Sequence, residues 1–255
     1  MKQALIGHTG FVGSNLARSE AFDATYNSTN IETIRGRHFH RLVCAGVPAV
    51  KWWANQHPAE DRATIARLTT ALSAVAADSF ILISTIDVYP RPVAVDETVM
   101  PVAADAVEAY GRHRLELEQF VANHFPTTHI IRLPALFGRG LKKNALFDLM
   151  NDNRLAWVHP DSRFQWYPLA RLATDLQHVE RHGVALANFA TEPVTMREIQ
   201  QRYFPGKRLG GEVDRAALYD FRTRYGALWG RPDGYCLGQA EVLDAMGRYL
   251  GGIEV

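Results

Sequence analysis

Short apolar runs alternate with stretches of helical periodicity along the first half of this 255-residue chain. Each run has the length and continuous apolar character of a strand buried on both faces. Strands joined by helices of this length pair in parallel through crossover connections. The pattern therefore predicts an α/β protein with a doubly wound parallel sheet and helices on both faces. The predicted strands are 3–6, 24–27, 41–45, 80–84 and 129–133, and the predicted long helices are 58–77 and 109–124.

The alternation weakens after Gly138. Thr195 and Glu198 have the spacing of a capping box, which predicts a helix that begins there. We expect a core formed by 1–137, to which 164–190 returns, and a smaller lobe formed by 138–163 and 191–255. The further predicted helices are 141–153, 170–182 and 239–250, and the further predicted strands are 163–167 and 184–189.

Composition narrows the class of protein. Hydrophobic residues make up 47% of the chain and charged residues 22%, close to the average for folded globular proteins. No apolar stretch approaches the roughly 20 residues of a membrane-spanning helix. The 28 Lys and Arg residues nearly balance the 27 Asp and Glu residues, and the net charge is +1. This balance argues against a nucleic acid or a membrane as partner.

The two cysteines, Cys44 and Cys236, lack the spacing of a disulfide framework or a zinc module. The histidines are scattered without ligand spacing, so we expect no metal site. The first residues lack the apolar stretch of a secretory signal, and we expect a cytoplasmic protein.

Three glycines follow the first predicted strand at every third position: Gly7, Gly10 and Gly13. Between a strand and a helix, such glycines allow a tight turn, the approach of a pyrophosphate to backbone N–H groups, and close packing of helix on strand. The spacing predicts a dinucleotide-binding turn. The alternative is a glycine-rich turn without a ligand.

The end of the second strand carries Asn27 and Ser28, where dinucleotide-binding proteins usually have an acidic residue that binds the adenosine ribose. Neutral side chains there, with Arg35 and Arg37 nearby, would accept a 2′-phosphate. We therefore expect NADP or NAD, with a slight preference for NADP. A polar turn with two solvated arginines is the alternative.

Thr85 stands at the end of the strongest predicted strand, and Tyr110 and Arg114 lie four residues apart in the next helix. Carboxyl ends of strands border the ligand crevice in open α/β sheets, so a hydroxyl at Thr85 is placed for chemistry. The spacing brings Tyr110 and Arg114 to one helical face. A fixed cation beside a phenol lowers its pKa and lets it take or give a proton.

This order of motifs resembles the extended short-chain dehydrogenase/reductase family, which includes nucleotide-sugar epimerases and dehydratases. The resemblance rests on the glycines of 7–13, the strand end 84–89 (STIDVY), and Tyr110-x-x-x-Arg114, where the family has Tyr-x-x-x-Lys. The segment 132–140 (RLPALFGRG) is similar to the family's Arg-x-x-x-Val-Tyr-Gly-Pro-Gly. Beyond residue 140 the likeness is one of general architecture.

The resemblance implies a Rossmann-type sheet with a small C-terminal substrate-binding lobe, an NAD(P) cofactor and a substrate that resembles a nucleotide sugar. It implies that Tyr110 is the acid/base and that Thr85 hydrogen-bonds the substrate oxygen. Arg114 would hold the nicotinamide ribose and lower the phenol pKa. Lys142, Lys143 and Asn144 follow the segment that in the family meets the sugar-nucleotide diphosphate, so Asn144 would bind substrate; an ordinary charge cluster at a helix start is the alternative. Thr64 replaces a family asparagine with a structural or proton-relay role. The expected cofactor contacts are Gly7, Thr9, Gly10, Phe11, Val12, Gly13, Asn27, Ser28, Ala45, Gly46, Tyr110 and Arg114.

The chain departs from the family pattern at three points. Arg114 replaces the lysine, and a guanidinium keeps the charge but does not exchange protons near neutral pH. The segment from the second strand to Cys44 is too short for the usual extra strand and its adenine contact. The acidic ribose ligand is missing. Together these departures indicate an atypical branch.

Two classes of function remain open. The first is an NAD(P)-dependent oxidoreductase or epimerase-type enzyme that exchanges hydride with a hydroxylated, sugar-nucleotide-like substrate. Dehydratases carry an Asp-Glu pair beside the threonine, where this chain has Ile86 and Asp87. The second is an NAD(P)-binding sensor or scaffold with reduced catalysis. By analogy with the family, we expect a homodimer that packs through the helices 60–77 and 109–124.

Overall fold

The computed structural model describes residues 2–101 and 108–253 of the chain. Helices and strands alternate as the sequence predicts. The strands are β1 Gln3–Ile6, β2 Ala24–Tyr26, β3 His38–Cys44, β4 Ala76–Thr85, β5 Thr128–Leu133, β6 Ala135–Phe137, β7 Arg163–Phe164, β8 Trp166–Pro168, β9 Leu186–Asn188 and β10 Val194–Thr195. The helices are α1 Phe11–Ser19, α2 Lys51–Gln56, α3 Pro58–Leu72, α4 Ala109–His124, α5 Ala145–Asn151, α6 Leu172–Arg181, α7 Met196–Tyr203 and α8 Gln239–Leu250.

The central sheet has six strands in the order β2-β1-β3-β4-β5-β9. The pairs β1–β2, β1–β3 and β3–β4 are parallel. The order reverses direction between β1 and β3, and ligands of open α/β sheets bind at the carboxyl ends of such a pair of strands. The predicted α/β class with a Rossmann-type parallel sheet is confirmed.

Helices cover both faces of this sheet. On one face, alternate strand residues such as Ile6, Leu42 and Phe80 form a continuous core with apolar residues of α3 and α4. The intervening residues, such as Leu5 and Val43, point to the opposite face because side chains alternate along a strand. They are fully buried as well. α1 contacts both β1 and α6.

The chain forms two compact units. The first contains 1–90, 100–132 and 172–187, and the second contains 91–99, 133–171 and 188–255. The second unit has two small sheets, β10 with β7 and β6 with β8. Its core is aromatic and includes Trp166, Tyr167, Phe189 and Phe221. The predicted capping box is confirmed, because Thr195 and Glu198 bond reciprocally at the start of α7.

Several boundaries differ from the prediction for physical reasons. β3 and β4 begin earlier than predicted, because their first residues alternate between exposed and buried positions. The predicted strand 163–167 is interrupted at Gln165, whose buried amide donates to the carbonyls of Thr191 and Phe221. Among the described residues, no helix is long and apolar enough to cross a membrane.

Candidate active site

Gly7 and Gly13 are required by the packing of the first strand on the first helix. Gly7 has a φ of +87°, and a Cβ there would lie 2.3 Å from the carbonyl oxygen of Ala45. A Cβ at Gly13 would lie 2.1 Å from the carbonyl oxygen of Gly7. Both distances are far below van der Waals contact with rigid backbone. These two glycines therefore bring β1, α1 and the end of β3 together.

Gly10 differs from the other two glycines. The nearest atom to a Cβ at Gly10 is the Gly7 carbonyl oxygen at 3.3 Å, and Thr9 and Gly10 are exposed. Gly10 is the N-cap of α1, no side chain caps the helix, and its first turn, which begins with Phe11 and Val12, holds no acidic residue. Backbone N–H groups at such a helix end attract a phosphate.

Ala45 and Gly46 follow β3 and lie beside the glycine turn. The Ala45 N–H donates to Ile6 O at 2.9 Å. A Cβ at Gly46 would lie 2.7 Å from Cγ2 of Ile6. The predicted cofactor residues that follow β1 and β3 are thus adjacent at the carboxyl ends of the two strands where the sheet order reverses.

The end of β2 is a polar turn. Asn27 Oδ1 accepts hydrogen bonds from the backbone N–H and the hydroxyl of Thr29, at 2.9 and 2.6 Å, while Ser28 is exposed. Arg35 donates to Glu32 at 2.8 Å. The sequence prediction did not consider Glu32. This carboxylate offsets the charge that was expected to favour a 2′-phosphate.

Thr85 and Tyr110 meet at the carboxyl end of β4. Thr85 is the last residue of the strand, and its Oγ1 accepts a hydrogen bond from the Asp87 N–H at 3.2 Å. The Thr85 side chain is also close enough to the phenol of Tyr110 to lower its pKa. Tyr110, in the first turn of α4, is buried, with 7% of its surface exposed. The two hydroxyl groups that the sequence paired therefore lie close together.

The pKa of Tyr110 is raised above its ordinary value, chiefly by burial. The positive charge of Arg114 lowers it, the carboxylate of Asp87 raises it, and the Thr85 hydrogen bond and the Lys51 charge lower it. The predicted effect of Arg114 has the right sign, but the prediction of a lowered phenol pKa is wrong because desolvation of the phenolate outweighs the favourable charges.

Arg114 packs against the ring of Tyr110, as their spacing predicts. Its Cζ lies 3.9 Å from the ring centroid. Two of its N–H groups donate to the carboxylate of Asp61, at 2.5 and 2.9 Å, and two more donate to the carbonyls of Pro48 and Tyr110. Within 2–101 and 108–253, its Nε has no hydrogen-bond partner, and this atom is itself buried.

Asp61 is the functional neighbour that the sequence prediction missed. It lies on α3, is 1% exposed, and also contacts Nδ1 of His113 at 2.7 Å. Burial opposes ionisation of this carboxyl, but the hydrogen bonds and charges of Arg114 and His113 outweigh burial and hold its pKa below the usual value. A signal existed, because Asp61 continues the apolar stripe of Ile65 and Leu68 at helical spacing.

Thr64 takes no part in the site. It is exposed, and its hydroxyl donates to the Glu60 carbonyl of its own helix at 2.9 Å. The expected structural or relay role of this position is wrong, because α3 presents Asp61 and not Thr64 to α4.

The short helix α2 lies against the start of α4. Asn55 Oδ1 accepts from the Tyr110 N–H at 3.0 Å, and its amide donates to Glu108 at 2.7 Å. Lys51, the first residue of α2, bonds Asp87 at 3.0 Å. The sequence prediction assigned no role to Lys51, Asn55 or Glu108.

A buried ion pair between Arg132 of β5 and Glu118 of α4 also contacts the end of β4. Arg132 binds both carboxylate oxygens of Glu118, and Glu118 accepts a hydrogen bond from Ser84, the neighbour of Thr85. Arg132 also donates to the Tyr89 hydroxyl at 2.7 Å. These contacts fix the backbone on both sides of Thr85.

Asn144 belongs to the second unit. It has a φ of +129° and caps α5, because its Oδ1 accepts from the Phe147 N–H at 3.0 Å while its amide donates to Leu136 O at 2.8 Å. Burial lowers the pKa of the neighbouring Lys143. In the described part of the chain, no group of three or more His, Cys, Asp and Glu side chains could hold a metal ion.

The sequence matches no protein-family model and no curated protein. Solved structures of the same fold do match. UDP-glucose 4-epimerase of Thermotoga maritima with UDP-glucose has a TM-score of 0.73 at 12% identity, over 99% of each chain. dTDP-4-dehydrorhamnose reductase of Bacillus anthracis with NADP has a TM-score of 0.72 at 15% identity, over 99% of this chain and 100% of that one.

A third similar structure is MoeE5 in complex with UDP-glucuronic acid and NAD, with a TM-score of 0.71 at 15% identity, over 97% of this chain and 99% of that one. At these identities the likeness shows a shared fold over nearly the whole length of each chain.

Proposed function

We propose that this chain is an NAD(P)-dependent enzyme of the extended short-chain dehydrogenase/reductase type, which exchanges hydride with a hydroxylated, sugar-nucleotide-like substrate. The observation that carries the proposal is the buried phenol of Tyr110, which lies against the guanidinium of Arg114 and close to Thr85 at the carboxyl end of β4. The uncapped helix end at Gly10 lies at the same edge of the sheet.

The glycine turn fits a dinucleotide. Backbone atoms occupy the space that a side chain at Gly7 or Gly13 would need. At Gly10 the N-terminus of α1 stays open, and a pyrophosphate would bind its N–H groups. Thr9, Phe11 and Val12 complete the turn, Ala45 and Gly46 would border the cofactor on one side, and Asn27 and Ser28 would lie near its adenosine ribose. A bound nicotinamide would supply the hydride acceptor or donor.

Tyr110 is the proposed acid/base. Its phenolate would take the proton of a substrate hydroxyl when a carbonyl forms, and its phenol would return a proton in the reverse direction. Thr85 would donate a hydrogen bond to the same substrate oxygen. Arg114 would support the negative charge through its contact with the ring. As the resemblance implies, it would also hold the nicotinamide ribose.

The substrate class follows from the similar proteins and from the second unit. Two of those proteins hold UDP-glucose or UDP-glucuronic acid. We assign dinucleotide binding to 1–137 with 164–190, and substrate binding to the lobe of 138–163 and 191–255. Asn144, whose strained backbone is held by two side-chain hydrogen bonds, is the proposed substrate contact in that lobe.

A second candidate is an NAD(P)-binding sensor or scaffold with reduced catalysis. The observation in its favour is the arginine at position 114, whose donors are taken by Asp61 and by the carbonyls of Pro48 and Tyr110. The pKa of Tyr110, raised by burial, also favours reduced catalysis.

Two measurements separate the candidates. Mass spectrometry of the native protein and of its denatured extract identifies a copurified dinucleotide or sugar nucleotide. Absorbance of the reduced nicotinamide follows net oxidation or reduction of UDP-glucose, UDP-glucuronic acid and dTDP-sugars. Chromatography of the products follows epimerisation and dehydration, which leave the cofactor unchanged overall. We expect binding and turnover of at least one substrate, abolished by Tyr110→Phe. Dinucleotide binding without turnover of any hydroxyl or keto sugar would favour the second candidate, and no dinucleotide binding would contradict both.

The homodimer and the cytoplasmic compartment stay predictions. The large apolar side chains of α3 and α4, the helices through which the homodimer was expected to pack, are buried or half-buried within the first unit. Light scattering at micromolar concentration tests the homodimer, and a monomer would contradict it.

A further inference from the structure

Arg114 has little freedom to respond to a charge that forms at Tyr110. Four of its five N–H groups donate within the protein, and 3% of its surface is exposed. Its guanidinium is also held by the Asp61 carboxylate on α3, which His113 contacts as well. The arginine is therefore a fixed charge whose position is set by its partners.

Lys51 is a second cation close to Tyr110. Its Nζ lies 3.0 Å from Oδ1 of Asp87 and 3.7 Å from Oε2 of Glu108. Asp87 belongs to the turn that follows Thr85, and Glu108 is the N-cap of α4. The ammonium group thus lies between the strand end that carries Thr85 and the helix start that carries Tyr110.

Helix geometry explains this position. Lys51 and Asn55 are four residues apart on α2 and share one face of the helix. Asn55 is bonded to the Tyr110 N–H and to Glu108, so this face is held against the first turn of α4. The Lys51 side chain is 42% exposed, so its long stem can move in a way that the buried guanidinium of Arg114 cannot.

We propose that Lys51 is a positioning residue whose mobile ammonium pairs with Asp87 while Tyr110 is neutral and stabilises the phenolate when Tyr110 ionises. Arg114 supplies the fixed part of the positive charge. This inference rests on the proposed acid/base role of Tyr110.

The charged groups around the phenol are consistent with this division. Arg114 faces it from α4, Lys51 from α2 and Asp87 from the turn after β4. The two cations lower the pKa of Tyr110, and Asp87 raises it. Removal of Lys51 takes away one favourable charge near the phenol and one positive charge beside Asp87, so both effects act in the same direction.

The test is the ionisation of Tyr110 itself, measured in the whole protein without substrate. The protein is labelled with 13Cζ-tyrosine, the Tyr110 signal is identified by its loss in Tyr110→Phe, and its pH titration is followed by NMR. We expect Lys51→Met to raise the pKa of Tyr110 by about one pH unit or more. Lys51→Arg, which keeps a mobile charge, should restore a value close to that of the wild type.

Two controls isolate the effect. Lys2→Met removes the same charge from an exposed lysine just before β1, at the opposite end of that strand from the glycine turn, and should leave the titration unchanged. Asp87→Asn and the double variant Lys51→Met/Asp87→Asn separate direct support of the phenolate from neutralisation of Asp87. We expect the double variant to titrate at a higher pH than Asp87→Asn alone.

Three results would overturn the proposal: an unchanged titration in Lys51→Met, loss of the lysine effect in the Asp87→Asn background, or a wild-type Tyr110 that stays protonated until alkaline unfolding. Amide spectra at neutral pH confirm that each variant is folded. The NMR titration needs no turnover, so it can contradict the role of Lys51 while the proposed function holds. Conversely, turnover that persists in Tyr110→Phe would contradict the proposed function without changing the measured pKa differences.

Discussion

The guanidinium of Arg114 binds both carboxylate oxygens of Asp61, with Nη1 2.5 Å from Oδ2 and Nη2 2.9 Å from Oδ1. The two residues join α4 to α3, and both are almost fully buried. The same guanidinium lies on the ring of Tyr110. One buried ion pair therefore sets both the packing of two helices and the charge beside the proposed acid/base.

We expect Asp61→Asn to destabilise the protein by about 3–5 kcal/mol, because it leaves the buried charge of Arg114 without its partner. Urea unfolding followed by circular dichroism measures the loss. The matched control is Glu116→Gln, which breaks the exposed pair of Arg62 and Glu116 between the same two helices. An exposed pair contributes about 0–1 kcal/mol, so similar losses in both variants would contradict the special role of Asp61.

The pH dependence of stability follows from the same carboxyl. The pKa of Asp61 in the folded state lies below its unfolded value of about 3.9. The stabilisation is therefore fully present above pH ~4 and is lost as the pH falls through the lower, folded-state pKa. Wild type should lose more stability than Asp61→Asn between about pH 4 and pH 2. Parallel curves for the two proteins would contradict this assignment.

The sequence predicted the sheet because its strands are continuous apolar runs, and it predicted α4 with both bounds as observed. It did not predict the break at Gln165, since the reason is a set of hydrogen bonds to Thr191 and Phe221, far along the chain. Periodicity reports which residues are buried. It does not report which distant backbone groups a buried amide will meet.

A substitution in the glycine turn can weaken dinucleotide binding without unfolding the protein. Gly10→Val should weaken dinucleotide binding at least a hundredfold, or by about 2.7 kcal/mol, because the side chain would enter the open helix end. Stability should fall by less than about 1 kcal/mol, the usual difference between these residues at an N-cap. Fluorescence of NADH or NADPH measures binding. Unchanged affinity in Gly10→Val would contradict the predicted site.

Gly13→Ala is the matched opposite. Its Cβ would lie 2.1 Å from a backbone oxygen, so we expect it to destabilise the fold by about 1–3 kcal/mol or more. If Gly13→Ala folds like wild type in thermal unfolding, the close packing of α1 on β1 is not required.

Cofactor choice depends on the polar turn after β2. With neutral Asn27 and Ser28 at the predicted ribose position, we expect NADP to bind at least as well as NAD. Glu32→Gln should tighten NADP more than NAD, because it releases Arg35 from its partner, and the gain should shrink at high salt. Calorimetric titration measures both cofactors. NAD bound more than about tenfold tighter than NADP, ~1.4 kcal/mol, would contradict the prediction.

Local spacing was enough to bring Tyr110 and Arg114 together, since four residues make one helical turn. Their meeting with Thr85 followed from the rule that strand ends border the crevice. Asp61 and Lys51 come from elements whose approach to α4 depends on tertiary packing. The sequence therefore predicted the reacting hydroxyl groups and the charge of Arg114. It missed Asp61, which holds that arginine, and Lys51, whose charge also lowers the pKa of Tyr110.

Tyr110→Phe is the decisive variant for the mechanism. It removes the hydroxyl near Thr85 and keeps the ring that packs on Arg114, so the fold and the cofactor affinity should change little. Turnover should fall by roughly 10²–10⁴-fold, the usual contribution of general acid–base catalysis. The control is Tyr203→Phe, which removes a phenol that bonds the Leu243 carbonyl in the second unit and should leave turnover intact. Because burial raises the pKa of Tyr110, oxidation by the wild-type enzyme should quicken as the pH rises toward that pKa and the phenolate becomes populated. Full activity of Tyr110→Phe on the true substrate would mean that this acid/base mechanism does not operate in the protein.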